Sequence, residues 1–117
     1  MKIEKIFSQI VLNKKKKKII YQDKIVTAFK DKNPQAPIHI LVIPNILIPT
    51  ANDITKKNKH FFTHMFYASL KITKKLNIHK TGYRLIFNCN AHAGQEIKYI
   101  HLHILGGKNL GPIICKS

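Results

Sequence analysis

Acid is what this chain has least of: five Asp and Glu stand against 21 Lys and Arg, a formal net charge of +16 over 117 residues. Such an imbalance invites a polyanion-binding reading, because clustered cations release counterions when they meet phosphates. Arginine is nearly absent as well, since only Arg84 is not lysine among the basic residues. Readers of base sequence lean on bidentate guanidinium forks, so specific nucleic-acid recognition is disfavoured. With Ile and Asn also plentiful, the lysine excess reads as drift of an AT-rich coding sequence, and the charge would still attract small phosphorylated molecules. Cysteine is limited to Cys89 and Cys115, too few for a disulfide framework and without the CxxC spacing of a structural zinc. A reducing, cytoplasmic setting fits. No apolar run approaches the length of a membrane span, and Glu4, Lys5 and Gln9 break the first dozen residues as a signal segment.

What remains is the material of one α+β domain, expected over residues 1–117, with 44% apolar residues for a core. Ile3, Ile6, Phe7, Ile10 and Val11 recur at helical spacing and predict a short amphipathic helix, which the five consecutive lysines Lys14 to Lys18 should end in a solvated turn. Lys18 to Tyr21 and Ile25 to Phe29 read as strands of a hairpin turning at Gln22-Asp23-Lys24. After two prolines in Asp31 to Pro37, the β-branched run Ile38 to Ile43 reads as a third strand stopped by Pro44. Phe62, Met65, Phe66, Ser69, Leu70, Ile72, Thr73 and Leu76 follow three- and four-residue steps, predicting a long helix from about Asn52 or Asp53, either one its N-cap, to about Asn77. Tyr83 to Asn88 and Ile97 to Gly107 read as the last strands, giving an antiparallel sheet with one long and one short helix.

The final segment, Tyr99-Ile100-His101-Leu102-His103-Ile104, carries the chemistry. Strand alternation puts Tyr99, His101 and His103 on one side and Ile100, Leu102 and Ile104 on the other. Two imidazoles on one face suit nucleophilic catalysis, acid and base work, or metal binding. His60 and His64, four apart on the long helix, lack an acidic or cysteine partner and read as surface residues.

Several pieces then stand in a telling order: Pro34-Gln35-Ala36-Pro37-Ile38-His39-Ile40-Leu41-Val42-Ile43-Pro44, Gly82-Tyr83-Arg84, Asn88, Gly94-Gln95-Glu96, and His101-Leu102-His103-Ile104-Leu105-Gly106-Gly107. Together they resemble the histidine triad (HIT) family, in its nucleotide-binding Hint branch, from about the first helix to Pro112. The resemblance implies a HIT-like α+β fold with a five-stranded antiparallel sheet and one long and one short helix. It also implies a homodimer whose sheets join, and hydrolysis of purine nucleoside monophosphates linked through phosphorus to an amine or other leaving group. No cofactor is implied; some relatives hold zinc through N-terminal cysteines, and this chain has none there.

Carried residue by residue, the resemblance places His101, His103, His39 and Tyr99 at the catalytic positions. His101 takes the place of the nucleophile that becomes transiently nucleotidylated, His103 that of the phosphate-holding histidine, and His39 that of a fourth histidine beside them. Tyr99 stands where the family has the first histidine of its triad. The main-chain carbonyl that orients the nucleophile survives such an exchange, while an imidazole able to carry a proton is lost, so slowed or absent turnover with retained nucleotide binding is the alternative expectation. Asp31 matches the acceptor of the ribose hydroxyls and Asn88 a phosphate contact. Gly94 and Gln95 match the backbone approach to the anion, and Ile6, Phe7, Ile10, Phe29 and Leu41 the apolar groups around the base. Asn90 and His92 depart from the common pattern of that loop, and Glu96 replaces a Ser that can pass a proton to the leaving group.

Overall fold

The computed structural model describes residues 3–12 and 19–114, with side chains from residue 7 onward. The lysine run expected as a turn lies outside the described residues. Two helices and five strands follow in chain order: α1 (Ile3–Val11), β1 (Ile19–Gln22), β2 (Val26–Lys30), β3 (Ile38–Pro44), α2 (Lys59–Lys75), β4 (Tyr83–Phe87) and β5 (Leu102–Gly106). The strands form one antiparallel sheet, as the sequence predicts, and its order is β1-β2-β3-β5-β4.

The sheet divides the apolar residues by parity. Val26 and Ala28 of β2, Ile40 and Val42 of β3, and Leu102 and Ile104 of β5 face α2, whose Met65, Ala68 and Ile72 close over them. Phe29, Leu41 and Ile43 point to the opposite face and pack with Phe7 and Ile10 of α1 and with Tyr99. At its C-terminal end α1 is tied to β1, where the Gln22 Nε2 donates to the Val11 carbonyl at 2.9 Å.

Three boundaries differ from the sequence expectation. Neither Asn52 nor Asp53 caps the long helix. Asp53 ends a short 3-10 turn, Ala51–Asp53, in a capping box with Thr50, and its carboxylate accepts from the Thr50 amide at 3.0 Å and hydroxyl at 2.9 Å. The chain re-forms a turn at Thr55, and α2 starts only at Lys59. Phe62 and Phe66, expected on the buried stripe of that helix, are 40% and 45% exposed, because the buried stripe runs instead through Met65, Ala68, Ser69, Ile72 and Thr73.

The last strand is shorter than Ile97 to Gly107. Its neighbours run out together: Val42 of β3 and Phe87 of β4 both pair with Leu102. Two residues past Val42, β3 reaches Pro44, which has no amide to extend a ladder. The segment before Leu102 finds other partners. The Ile100 amide donates to the Ile48 carbonyl at 2.7 Å, and the Gln95 Nε2 donates to the carbonyls of Pro49 and Ile97, both at 2.9 Å.

Candidate active site

The α1 face of the sheet brings His39, His101 and His103 together. His103 lies on β5 opposite Leu41, and His39 lies two residues before Leu41 on β3, so the two imidazoles are diagonal neighbours on one face. Their ring centroids are 5.1 Å apart, and those of His101 and His103 are 5.0 Å apart. Alternation puts the histidines on this side because Leu102 and Ile104 must enter the opposite core.

Hydrogen bonding assigns a proton to each ring. The Tyr99 carbonyl, which can only accept, lies 2.8 Å from His101 Nδ1, so that nitrogen carries the proton and Nε2 keeps its lone pair. The Gln35 amide donates to His39 Nδ1 at 3.0 Å, which places the His39 proton on Nε2. From there it reaches His103 Nδ1 at 2.9 Å, with the Asp31 Oδ2 beside it at 3.3 Å. His103 Nδ1 is thereby an acceptor, and a neutral His103 presents an Nε2–H donor. Burial pushes the His103 pKa down to about 4, helped by His101 and His39 and opposed by Asp31. Burial also lowers that of His39, against the pull of the Asp31 carboxylate. Both rings are therefore neutral near pH 7, and the chain Gln35 to His39 to His103 has one consistent direction.

Asp31, His39 and His103 offer one ligand-type atom each within 4.8 Å of one another, and are the one such cluster among the described residues. The donor set does not suit an ion. A metal on His39 Nε2 would move the ring proton to Nδ1, where it would face the Gln35 N–H, so the backbone selects the tautomer that donates rather than ligates.

The other expected residues are disposed unequally. Asp31 sits just past β2, with Oδ1 accepting from the Asn33 amide at 2.8 Å and Oδ2 beside His39. Asn88 follows the last residue of β4 and is half-buried. In the loop that carries Gly94 and Gln95, the Gly94 amide donates to the Ala91 carbonyl at 3.0 Å and the Gln95 amide to the Asn90 carbonyl at 3.1 Å. Gly94 adopts φ +83° at the end of the 3-10 turn Ala91–Ala93, a conformation that suits glycine, and the buried Gln95 side chain ties the loop together. Phe7, Ile10, Phe29 and Leu41 are all buried against one another, with the Phe7 ring edge-on to Phe29, Tyr99 and His101 at centroid distances of 5.5, 5.5 and 5.8 Å. The side chain of Ile6 lies outside the described residues. Tyr99 is 1% exposed, and its hydroxyl donates to the Pro44 carbonyl at 2.6 Å.

Sequence reasoning misses Gln35 as a functional group, since a main-chain amide leaves no signature in residue type. It also misses the Asp31 contact to His39, which only the pairing of Asp31 and His39 main chains at the mouth of β2 and β3 produces.

A five-stranded antiparallel sheet thus carries the long helix on one face and a proton-ordered histidine group on the other. The chain belongs to the HIT family: the HIT domain model matches residues 13–110. It is 56% identical over 110 residues to a HIT-like protein of Buchnera aphidicola subsp. Baizongia pistaciae, covering 94% of this chain and 98% of that one. It is 50% identical over 111 residues to the purine nucleoside phosphoramidase of Escherichia coli K12, covering 95% and 93%. Among solved structures, a HIT family hydrolase from Clostridium thermocellum superposes with a TM-score of 0.89 at 38% identity, covering 94% of this chain and 96% of that one.

Proposed function

We propose that the protein hydrolyses purine nucleoside phosphoramidates, or closely related nucleotidyl compounds, through a nucleotidyl-His101 intermediate. The observation that carries this reading is the bond between His101 Nδ1 and the Tyr99 carbonyl at 2.8 Å, which leaves the Nε2 lone pair free to attack phosphorus. Attack forms an Nε2–P bond and breaks the bond from phosphorus to the leaving nitrogen, which takes a proton from solvent and departs as the amine. Water then attacks the same phosphorus, and His101 leaves as the nucleoside monophosphate is released. Imidazole serves both steps because it is a nucleophile and a tolerable leaving group in turn.

The neighbouring groups have matching tasks. His103, kept neutral with its proton on Nε2, donates to a phosphoryl oxygen as charge develops there. His39 relays the orientation set by the Gln35 amide, and Asp31 accepts from the ribose hydroxyls while holding His39. Asn88 stands beside the phosphate, with Gly94 and Gln95 shaping the loop that follows. The apolar wall for a purine is assigned to Ile6, Phe7, Ile10, Phe29 and Leu41; Phe7, Ile10, Phe29 and Leu41 are packed together between α1 and the sheet, so α1 is the element that yields to the base. The substrate class is supported by the name of the Escherichia coli relative and by the extent of the match to it.

The active unit is proposed to be a homodimer joined at β4. That strand is an edge of the sheet, and Phe62 of α2, stacked on Phe87 with ring centroids 5.1 Å apart, is exposed beside it. No helix among the described residues is long and apolar enough to cross a membrane, which is compatible with the cytoplasmic setting proposed from cysteine usage.

Incubation with adenosine 5′-phosphoramidate tests the reaction. Release of ammonia and adenosine monophosphate at equal rates is expected. Saturable binding of the monophosphate with no turnover would assign instead the alternative of a nucleotide-binding module.

A further inference from the structure

The peptide unit between Tyr99 and Ile100 joins two hydrogen bonds. Its carbonyl accepts from His101 Nδ1 at 2.8 Å, and its amide donates to the Ile48 carbonyl at 2.7 Å. A peptide is planar, so whatever fixes the amide fixes the carbonyl with it. The unit lies just before β5, where no strand ladder holds it. Its orientation has to come from the end of β3 and the connection after it, which supply acceptors at Pro44, Ile48 and Pro49.

Tyr99 makes the first of these attachments. Its hydroxyl crosses to the Pro44 carbonyl at 2.6 Å, from a residue 55 positions away in sequence, and its ring is sealed against Phe7. Pro44 ends β3, so its carbonyl is anchored to the sheet through the pairing of Pro44 with Val26. The phenol therefore faces the sheet rather than the reacting atoms, and every contact described for it is structural in direction. We infer that Tyr99 is a positioning residue for His101: by clamping its own peptide to the end of β3, the phenol holds the carbonyl that keeps the His101 proton on Nδ1 and the lone pair on Nε2. A substitution at the first place of the triad is thus compatible with an oriented nucleophile, because the new side chain brings its own anchor.

The inference deepens the proposed reaction and rests on it only for the kinetic half of its test. The variants are Tyr99→Phe, which keeps the ring and removes the donor, and Tyr99→4-aminophenylalanine, which restores a donor at the same place. Nitrogen-15 spectra of labelled histidine report the His101 tautomer without substrate. The parent is expected to show one tautomer, protonated at Nδ1, and Tyr99→Phe a mixture of both. With adenosine 5′-phosphoramidate, Tyr99→Phe should lower kcat roughly five- to tenfold, the worth of one hydrogen bond, with KM held within about twofold. The aminophenylalanine variant should return both readouts toward the parent. A single unchanged tautomer in Tyr99→Phe, or a rise in KM at constant kcat, would overturn the inference, as would equal behaviour of the two variants. A parent without turnover would defeat the proposed reaction alone, since the spectra decide the positioning role independently.

Discussion

The two faces of the sheet are built from the same strands and differ in kind. Toward α2 the buried layer is aliphatic and continuous, from Val26 through Ile40 and Val42 to Leu102 and Ile104. Toward α1 it is smaller and aromatic, with Phe7, Phe29 and Tyr99 at its centre and imidazoles at its margin. Adjacent residues at the start of β5 thus serve opposite ends: Leu102 and Ile104 are sealed, while His103 between them and His101 just before the strand stay half-buried. The lesson is a division of labour by parity. Stability resides mainly in the α2 layer, and the α1 layer is smaller and polar enough at its edge to hold protons in place.

Crossing two substitutions on neighbouring positions would break this division most severely if it is wrong. His101→Ala should cut kcat on the order of a thousandfold or more while leaving the melting temperature nearly unchanged, because a half-buried ring is lost from the margin. Ile104→Ala should do the reverse, costing about 2–5 kcal/mol of stability through a cavity under α2, with kcat per folded molecule close to the parent. Urea denaturation beside steady-state rates measures both. If each substitution moved both quantities alike, the faces would not be separable.

Asp31→Asn sharpens the comparison within the α1 face. A neutral amide accepts more weakly from ribose hydroxyls, so KM for a ribonucleoside substrate should rise roughly tenfold. The penalty for the corresponding 2′,3′-dideoxy substrate should be much smaller. Equal penalties for the two sugars would remove Asp31 from ribose recognition.

A further effect is expected from pH, and its sign follows from burial. The His103 pKa is lowered in the folded protein from 6.5 to about 4, so between those values the unfolded chain binds more protons at this site. Stability from this group is fully present above about pH 6.5 and is lost as pH falls toward 4; His39 shifts in the same direction. Denaturation midpoints measured down this range should fall, with a shallower slope in His103→Gln. An unchanged slope would mean that His103 titrates as an exposed imidazole.

Much of this frame is legible in the order of residues alone. Period-two patterns place β1 to β4 within a residue or two, and the alternation from Tyr99 to Ile104 divides the two faces correctly even where the strand itself gives out. What escapes depends on partners distant in sequence or on commitments within a loop. Nothing local in Asn52-Asp53 shows that the Asp53 carboxylate is committed to Thr50, so periodicity starts α2 too early. The stripe expected for α2 includes Phe62 and Phe66 because period alone does not say where a sheet ends beneath a helix. The tyrosine carries a usable signal of its own: a buried phenol requires an acceptor, and Pro44, whose carbonyl ends β3, supplies it.

The most direct test is to trap the intermediate. Rapid acid-free quenching of the protein with adenosine 5′-phosphoramidate, followed by peptide mass spectrometry, should reveal a short-lived adenylyl group on the nitrogen of His101, absent in His101→Ala. Steady hydrolysis persisting in His101→Ala, or an adduct on another residue, would contradict the role assigned to His101.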